Sequence, residues 1–154
     1  MIEFDYKLNF KKLDFTNKEV RKLYRIGRGE QGVLLVRPYT DDICKYWKFK
    51  TEPIAKKSAH KIYEMYADYR AKNDFVGMDM CRKFLEMGFT RARRYANHKD
   101  GKILPQEPDA LYSEKAKAAR TFKRWRDVVT HDPKYISMRK MWREYENHNL
   151  QEIQ

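Results

Sequence analysis

The stretch Thr51–Met87, TEPIAKKSAHKIYEMYADYRAKNDFVGMDMCRKFLEM, decides the fold class. Apolar residues recur in its first part at spacings of three and four, as in Ala55, Ala59, Ile62, Tyr66 and Tyr69. This periodicity predicts an amphipathic helix that extends to about Lys72. Thr51 is a favourable N-cap residue for it, because a threonine side chain can accept a hydrogen bond from a free backbone N–H of the first turn. A second helix follows Asn73-Asp74, with one apolar face formed by Val76, Met80, Phe84 and Met87.

Two further helices are predicted towards the C-terminus. Gly88 is expected to kink or end the second helix, and a loop rich in proline and charged residues covers residues 97–108. Ser113 then opens a helix with Ala118, Phe122, Trp125 and Val129 on one face. Asp132-Pro133 opens the last helix, because proline is tolerated at the first helical position.

The first fifty residues predict short mixed elements. Alternation of apolar and polar residues around Tyr6, Leu8 and Phe10 is typical of a short strand, and the run Val33–Val36 resembles a buried one. Thr16 with Glu19 has the pattern of a capping box before a short helix. We therefore expect a mostly α fold, a compact bundle of about four main helices with a small N-terminal β element. Residues 1–154 form one domain, in which residues 1–50 pack on helices within residues 51–154.

The charge is strongly basic and is spread through the chain. The 154 residues carry a formal net charge of +12, divided as +5, +5 and +2 over residues 1–50, 51–102 and 103–154. A folded body with this excess attracts polyanions, which favours nucleic acid or an acidic protein as partner. The alternative is a basic protein whose charge serves only solubility.

The remaining composition indicates a cytoplasmic protein without a membrane segment. The N-terminus contains acidic residues and no continuous apolar stretch, so we do not expect a signal peptide. The longest apolar run, Val33–Val36, is far too short to span a bilayer. Cys44 and Cys81 lie in separate elements and are expected to be reduced thiols.

A basic segment near the end of the second helix is the strongest functional signal. Arg91, Arg93, Arg94 and Lys99 are expected to contact phosphates, with Tyr95 available for stacking. The full predicted phosphate-binding set is Arg82, Arg91, Arg93, Arg94, Tyr95, His98 and Lys99. The alternative is a solvated helix end whose cations interact with the C-terminal carbonyls and the helix dipole. Further cations follow between Lys115 and Arg126.

A glycine-rich segment, Gly27–Gly32, matches the pattern G-x-G-x-x-G. In a dinucleotide-binding fold this pattern leads directly into a helix, whereas here it precedes the apolar run Val33–Val36. Arg28, Gly29 and Gln31 are the residues that would contact a bound anion. Tight turns at the glycines explain the pattern equally well.

Catalytic and metal-binding patterns are missing from the sequence. The four histidines are far apart, and no nucleophile elbow or H-E-x-x-H motif occurs. We therefore predict no catalytic residue, no metal ligand and no cofactor. Enzymatic activity is left open, with the balance against it.

Two stretches carry a family resemblance: Leu23–Tyr39, LYRIGRGEQGVLLVRPY, and Phe75–Lys99, FVGMDMCRKFLEMGFTRARRYANHK. They resemble an uncharacterised domain-of-unknown-function family of cytoplasmic proteins found in bacteria and in bacteriophages, including cyanophages. The resemblance implies no activity, so it assigns no catalytic residue.

These observations lead to one leading hypothesis and two alternatives. The leading one is a small nucleic-acid-binding or nucleic-acid-associated protein that contacts phosphates through its arginine-rich segment. The first alternative is an enzyme or binder for a phosphorylated small molecule or nucleotide that uses Gly27–Gly32. The second is a phage factor that binds an acidic host protein, with an exposed aromatic patch among Tyr135, Trp142 and Tyr145. No feature of the sequence indicates the oligomeric state.

Overall fold

The structure, a computed structural model, describes residues 2–99, 102–103 and 113–153, with side chains described for residues 2–96 and 113–148. The chain is mostly helical, as the periodicity predicts. Two short helices come first, α1 (Lys18–Arg21) and α2 (Tyr39–Cys44). Four long helices follow, α3 (Glu52–Ala71), α4 (Phe75–Asn97), α5 (Glu114–Thr130) and α6 (Pro133–Ile153).

The predicted starts of three long helices are confirmed. The Thr51 side chain accepts a hydrogen bond from the backbone N–H of Ile54 at 3.4 Å, and Ser113 does the same for Ala116 at 3.2 Å. The first helical residue of α6 is Pro133. In each case a local signal is sufficient, because the free N–H groups of a first turn are satisfied by a residue next to them.

Helix α4 lies at the centre of the fold. It packs against α3 and α5, and also contacts α2 and α6. Every residue from Phe75 to Leu85 is buried. Helices α3 and α5 run in the same direction, since the N–H of Glu52 donates to Glu114 at their first turns and the Tyr66 hydroxyl donates to Asp132 at their ends.

Helix α4 does not end at Gly88, which was one of the two expectations for this residue. Helix α4 continues through this residue to Asn97. A Cβ atom at position 88 would overlap the ring of Phe122 on α5. Gly88 therefore allows α4 and α5 to pack closely. Its low helix propensity does not interrupt α4, because packing against neighbouring helices stabilises the helix.

The predicted N-terminal β element is wrong, since residues 2–50 contain no strand. The region of Tyr6 to Phe10 forms a turn followed by a 3-10 helix at Phe10–Lys12. The run Val33–Val36 consists of successive turns, in which Val33 N–H donates to Glu30 and Leu35 N–H donates to Gly32. Val33 and Val36 are buried in the core without strand pairing, while Leu34 is exposed, because turns satisfy the backbone locally.

Two smaller details complete the fold. Asn17, and not Thr16, caps α1, since its side chain accepts hydrogen bonds from Glu19 and Val20. The described strands, β1 (His98–Lys99) and β2 (Lys102–Ile103), pair antiparallel with His98 opposite Ile103. The rest of the predicted loop over residues 97–108 lies outside the described residues.

Candidate nucleic-acid interface

Arg91, Arg93 and Arg94 lie in the last turns of α4, and we call them the arginine surface. Arg91 and Arg94 are exposed and Arg93 is half-buried, while Ala92 between them faces the core. Within the described residues, none of the three guanidinium groups forms a salt bridge or a hydrogen bond. Their charge is therefore not compensated inside this part of the fold and is available to an external anion.

Tyr95 follows the arginine surface and forms part of an aromatic platform. Its side chain is 55% exposed, and its ring stacks on Phe49 with centroids 6.0 Å apart. The Lys115 ammonium lies 5.0 Å from the centroid of Phe49 and 5.7 Å from that of Tyr95. An exposed ring beside unpaired cations is the arrangement on which a nucleic-acid base can stack.

Lys50 adds another cation next to this platform. Partial burial and the nearby charge of Lys50 lower the pKa of Lys115. The Lys115 ammonium donates a hydrogen bond to the Phe49 carbonyl at 3.3 Å, which holds it in place. Because the charge of Lys50 acts on Lys115, an anion bound beside these two ammonium groups would relieve their repulsion.

Arg82 lies in the buried first half of α4, apart from the arginine surface, and its role as a phosphate contact stays a prediction. It is only 7% exposed, and its guanidinium pairs with Asp79 at 2.9 Å. Its remaining donors reach the Tyr135 hydroxyl at 3.2 Å and the Gly29 carbonyl. A buried arginine whose carboxylate, hydroxyl and carbonyl partners all lie within the fold stabilises the structure.

Asp79 is the centre of a buried polar network. Its carboxylate is fully buried and accepts hydrogen bonds from Tyr24 and Tyr135, the latter at 2.7 Å. Burial alone would raise the pKa of Asp79, but the charges of Arg82 and Lys83 together with the two hydroxyl groups hold it below its usual value. The carboxylate therefore stays ionised inside the core.

Lys83 is the second cation of the core. Its ammonium donates to the carbonyls of Arg25 at 2.8 Å and Gln31 at 2.7 Å, and it lies over the rings of Phe4 and Tyr24. Burial lowers the pKa of Lys83 to about 7. Through its hydrogen bond to the Gln31 carbonyl, Lys83 thus connects the glycine-rich segment to α4.

The glycine-rich segment directs its carbonyl groups towards the protein interior. All three of its glycines have positive φ angles, between 57° and 73°. The Gln31 side chain accepts the N–H of Arg28 at 3.1 Å, and the carbonyl of Gly27 accepts a hydrogen bond from Arg143 at 3.2 Å. These contacts give the segment a structural role. An anion site at Arg28, Gly29 and Gln31 stays a prediction.

The two alternative functions each correspond to a surface feature. A cleft of about 660 Å³ is lined by Gly29 and by residues of α4, α5 and α6, including Arg82, and does not include Arg91, Arg93 or Arg94. Of the aromatic patch on α6, Tyr135 is buried and Trp142 is half-buried against Phe75. The exposed large apolar residues beside these aromatic side chains are Ile136 and Met141.

Some predicted features lie outside what the structure describes. The side chains of His98 and Lys99 belong to this group, and only their backbone pairing in β1 is known. Within residues 2–99 and 113–153, no three histidine, cysteine or acidic side chains cluster as a metal site would require. No helix among the described residues is long and apolar enough to cross a bilayer.

Phe49 and Lys50 are the interface residues that the sequence interpretation missed. They belong to the run Lys45–Lys50, KYWKFK, in which lysines and aromatic residues are interleaved. Interleaved basic and aromatic residues are a recognised signal for nucleic-acid binding and could have indicated this segment.

Comparison with known proteins supports the resemblance and adds no activity. No curated protein and no solved structure matches the chain. The model of one protein family, described as a domain of unknown function, matches residues 5–145. Because this match covers most of the chain, the protein belongs to the domain-of-unknown-function family DUF4385.

Proposed function

We propose that the protein binds nucleic acid through the arginine surface and the Tyr95 platform beside it. The observation that carries the proposal is the absence of any internal partner for Arg91, Arg93 and Arg94 within the described residues. Guanidinium groups match phosphate oxygens in planar, paired hydrogen bonds, so three of them on one helix end form a phosphate-binding surface.

The local charge supports this proposal. No acidic residue occurs between Glu86 and Asn97, and Lys50 and Lys115 add two cations at the Tyr95 platform. The whole chain carries a net charge of +12, which attracts a polyanion over longer distances. Binding that depends on phosphate contacts weakens steeply with salt, because each contact releases condensed counterions.

The test compares the wild type with Arg91→Ala/Arg93→Ala/Arg94→Ala in fluorescence anisotropy titrations against labelled DNA and RNA over a series of salt concentrations. We expect the triple variant to bind at least about tenfold more weakly at low salt. We also expect the slope of log affinity against log salt to fall by about 2, since three phosphate contacts are lost.

The control variant is Lys7→Ala/Lys11→Ala/Lys12→Ala, which removes the same charge from three exposed lysines elsewhere in the chain. We expect it to weaken binding by much less than the triple arginine variant. Polyglutamate serves as a second titrant that carries charge without phosphate or bases. Equal loss in both variants, or equal affinity for polyglutamate and nucleic acid, would contradict the proposal.

We also propose that the protein acts in the cytoplasm of a bacterial cell, as a host or a bacteriophage gene product. The proposal rests on the resemblance of Leu23–Tyr39 and Phe75–Lys99 to cytoplasmic proteins of bacteria and bacteriophages. A fluorescent fusion expressed in bacteria tests it: we expect signal over the nucleoid or throughout the cytoplasm, and signal at the envelope would contradict it.

A further inference from the structure

A groove lined by lysines lies beside the Tyr95 platform, between the connection from α2 to α3 and the first turns of α3. Its volume is about 690 Å³. Four lysines line it, Lys45, Lys48, Lys57 and Lys61. We call it the lysine groove.

Glu64 is the acidic residue among the residues that line the groove, and it already interacts with His60 at 3.3 Å and with Lys61 at 3.9 Å. Lys45, Lys48 and Lys57 form no salt bridge within the described residues.

Tyr46 places an aromatic ring in the lysine groove. The side chain is 40% exposed, and the ammonium groups of Lys45 and Lys61 lie 5.8 Å and 5.0 Å from its ring centroid. The Tyr46 ring therefore lies close to two cations, and part of its surface is open to solvent. This is the same combination that Tyr95 forms with Lys115.

The segment Lys45–Lys50 connects the lysine groove to the Tyr95 platform. The N–H of Lys48 donates to Ser58 on α3 at 2.9 Å, and the carbonyl of Phe49 accepts from Lys115 on α5. The segment is thus fixed to two helices. Tyr46 and Phe49 are three residues apart, so their Cα atoms are separated by at most about 11 Å. The ring of Phe49 in turn stacks on Tyr95.

We infer that the substrate class is single-stranded nucleic acid, with bases stacked on Tyr46 and Tyr95 and phosphates bound by the lysine groove and the arginine surface. This inference rests on the proposed function. The bases of a duplex are already stacked on each other, so they cannot use exposed rings, whereas those of a single strand can. The lysines that lie near these rings neutralise the backbone without reading sequence.

The test measures the affinity of the full chain for a labelled single strand of 20 nucleotides and for the matching duplex, at the same salt concentration. We expect the single strand to bind at least about tenfold more tightly. We expect Tyr46→Ala to weaken single-strand binding by about tenfold, which is within the range for loss of one stacked base, and to leave duplex binding unchanged. Tyr46→Phe keeps the ring and should keep the affinity.

The matched control is Tyr6→Ala, which removes another ring that is 60% exposed. Circular dichroism checks that each variant folds. Lys48→Glu/Lys57→Glu provides a second route, because it changes the groove without touching Tyr46, and we expect it to weaken single-strand binding by at least about tenfold.

The outcomes separate this inference from the proposed function. If the duplex binds as tightly as the single strand, and neither Tyr46→Ala nor the double lysine variant changes binding, the single-strand inference is overturned and nucleic-acid binding stands. If neither form binds at low salt, both fail. Tighter single-strand binding that depends on Tyr46 but not on Tyr6 supports the inference.

Discussion

The two halves of α4 carry cations of the same kind into opposite environments. In the first half, Arg82 and Lys83 are buried and form hydrogen bonds with acceptors inside the protein. In the second half, Arg91 and Arg94 are exposed and Arg93 is half-buried, and none of them has a partner within the described residues. The first pair holds the fold together, whereas the second group is available to a ligand.

The difference comes from what packs on each half. The glycine-rich segment brings carbonyl groups to Arg82 and Lys83, and α6 brings the Tyr135 hydroxyl to Arg82. The ring of Tyr24 lies under the Lys83 ammonium. Around Arg91–Tyr95 the described neighbours are Phe49 and the cation Lys115. Net charge alone therefore overstates the charge that a ligand meets, since a buried cation contributes mainly to its internal partners.

The largest change in stability is expected from Asp79→Ala, in the buried first half of α4. The substitution leaves the Arg82 guanidinium buried without its carboxylate and removes the acceptor of two tyrosine hydroxyls. We expect the free energy of unfolding to decrease by about 3–5 kcal/mol, as measured by urea denaturation. The control is Glu19→Ala, which breaks an exposed pair with Lys22 and should cost about 0–1 kcal/mol. Similar losses in the two variants would contradict the expectation that the buried network stabilises the fold more than an exposed ion pair does.

The next expected change is a dependence of the free energy of unfolding on pH, which comes from the ionisation of Lys83. In the unfolded chain the pKa of this lysine is 10.5, whereas in the folded protein it is lowered to about 7. Between these values the unfolded state binds more protons, so the free energy of unfolding rises with pH, by up to about 1.4 kcal/mol per pH unit. Below pH 7 both states carry the proton, and the cost of burying the charge is fully present.

Denaturation at several pH values between 7 and 10 tests this expectation. Lys83→Met removes the titrating group and should flatten the rise relative to the wild type. Lys11→Met replaces an exposed lysine and should keep the wild-type rise. The expectation fails if the curves of Lys83→Met and the wild type run parallel over this range.

The smallest effect on stability is expected from Arg91→Ala/Arg93→Ala/Arg94→Ala. These side chains make no described hydrogen bond or salt bridge, and alanine is a good helix former. We expect each substitution to change the free energy of unfolding by less than about 0.5 kcal/mol. Thermal denaturation of the triple variant measures the combined change in the free energy of unfolding. A loss of more than about 2 kcal/mol would indicate that the cations stabilise the end of α4, where the helix dipole favours positive charge.

Local signals predicted the helices well and the strands badly. Thr51, Ser113 and Pro133 mark helix starts correctly, because caps act through neighbouring backbone groups. The prediction of a strand at Val33–Val36 was wrong. A strand needs a pairing partner, and residues 2–50 contain none. An apolar run of this length fits a buried turn equally well.

The structure brings some of the predicted site residues together and places other residues beside them that the sequence interpretation did not include. Arg91, Arg93 and Arg94 lie together on one helix end, as their spacing requires. Phe49, Lys50 and Tyr46 join the same region only through the segment Lys45–Lys50, which is held by Ser58 and Lys115. No spacing along the chain predicts that contact.

The sequence by itself determined the helical class, the caps and the basic excess, because each depends on residues a few positions apart or on composition alone. The tertiary structure decided which cations are available. Lys83 donates to a carbonyl 58 residues away, and Glu146 accepts from an N–H 120 residues away. Whether a charge is buried with partners or left free depends on such distant contacts, since desolvation is tolerated only where the fold supplies acceptors.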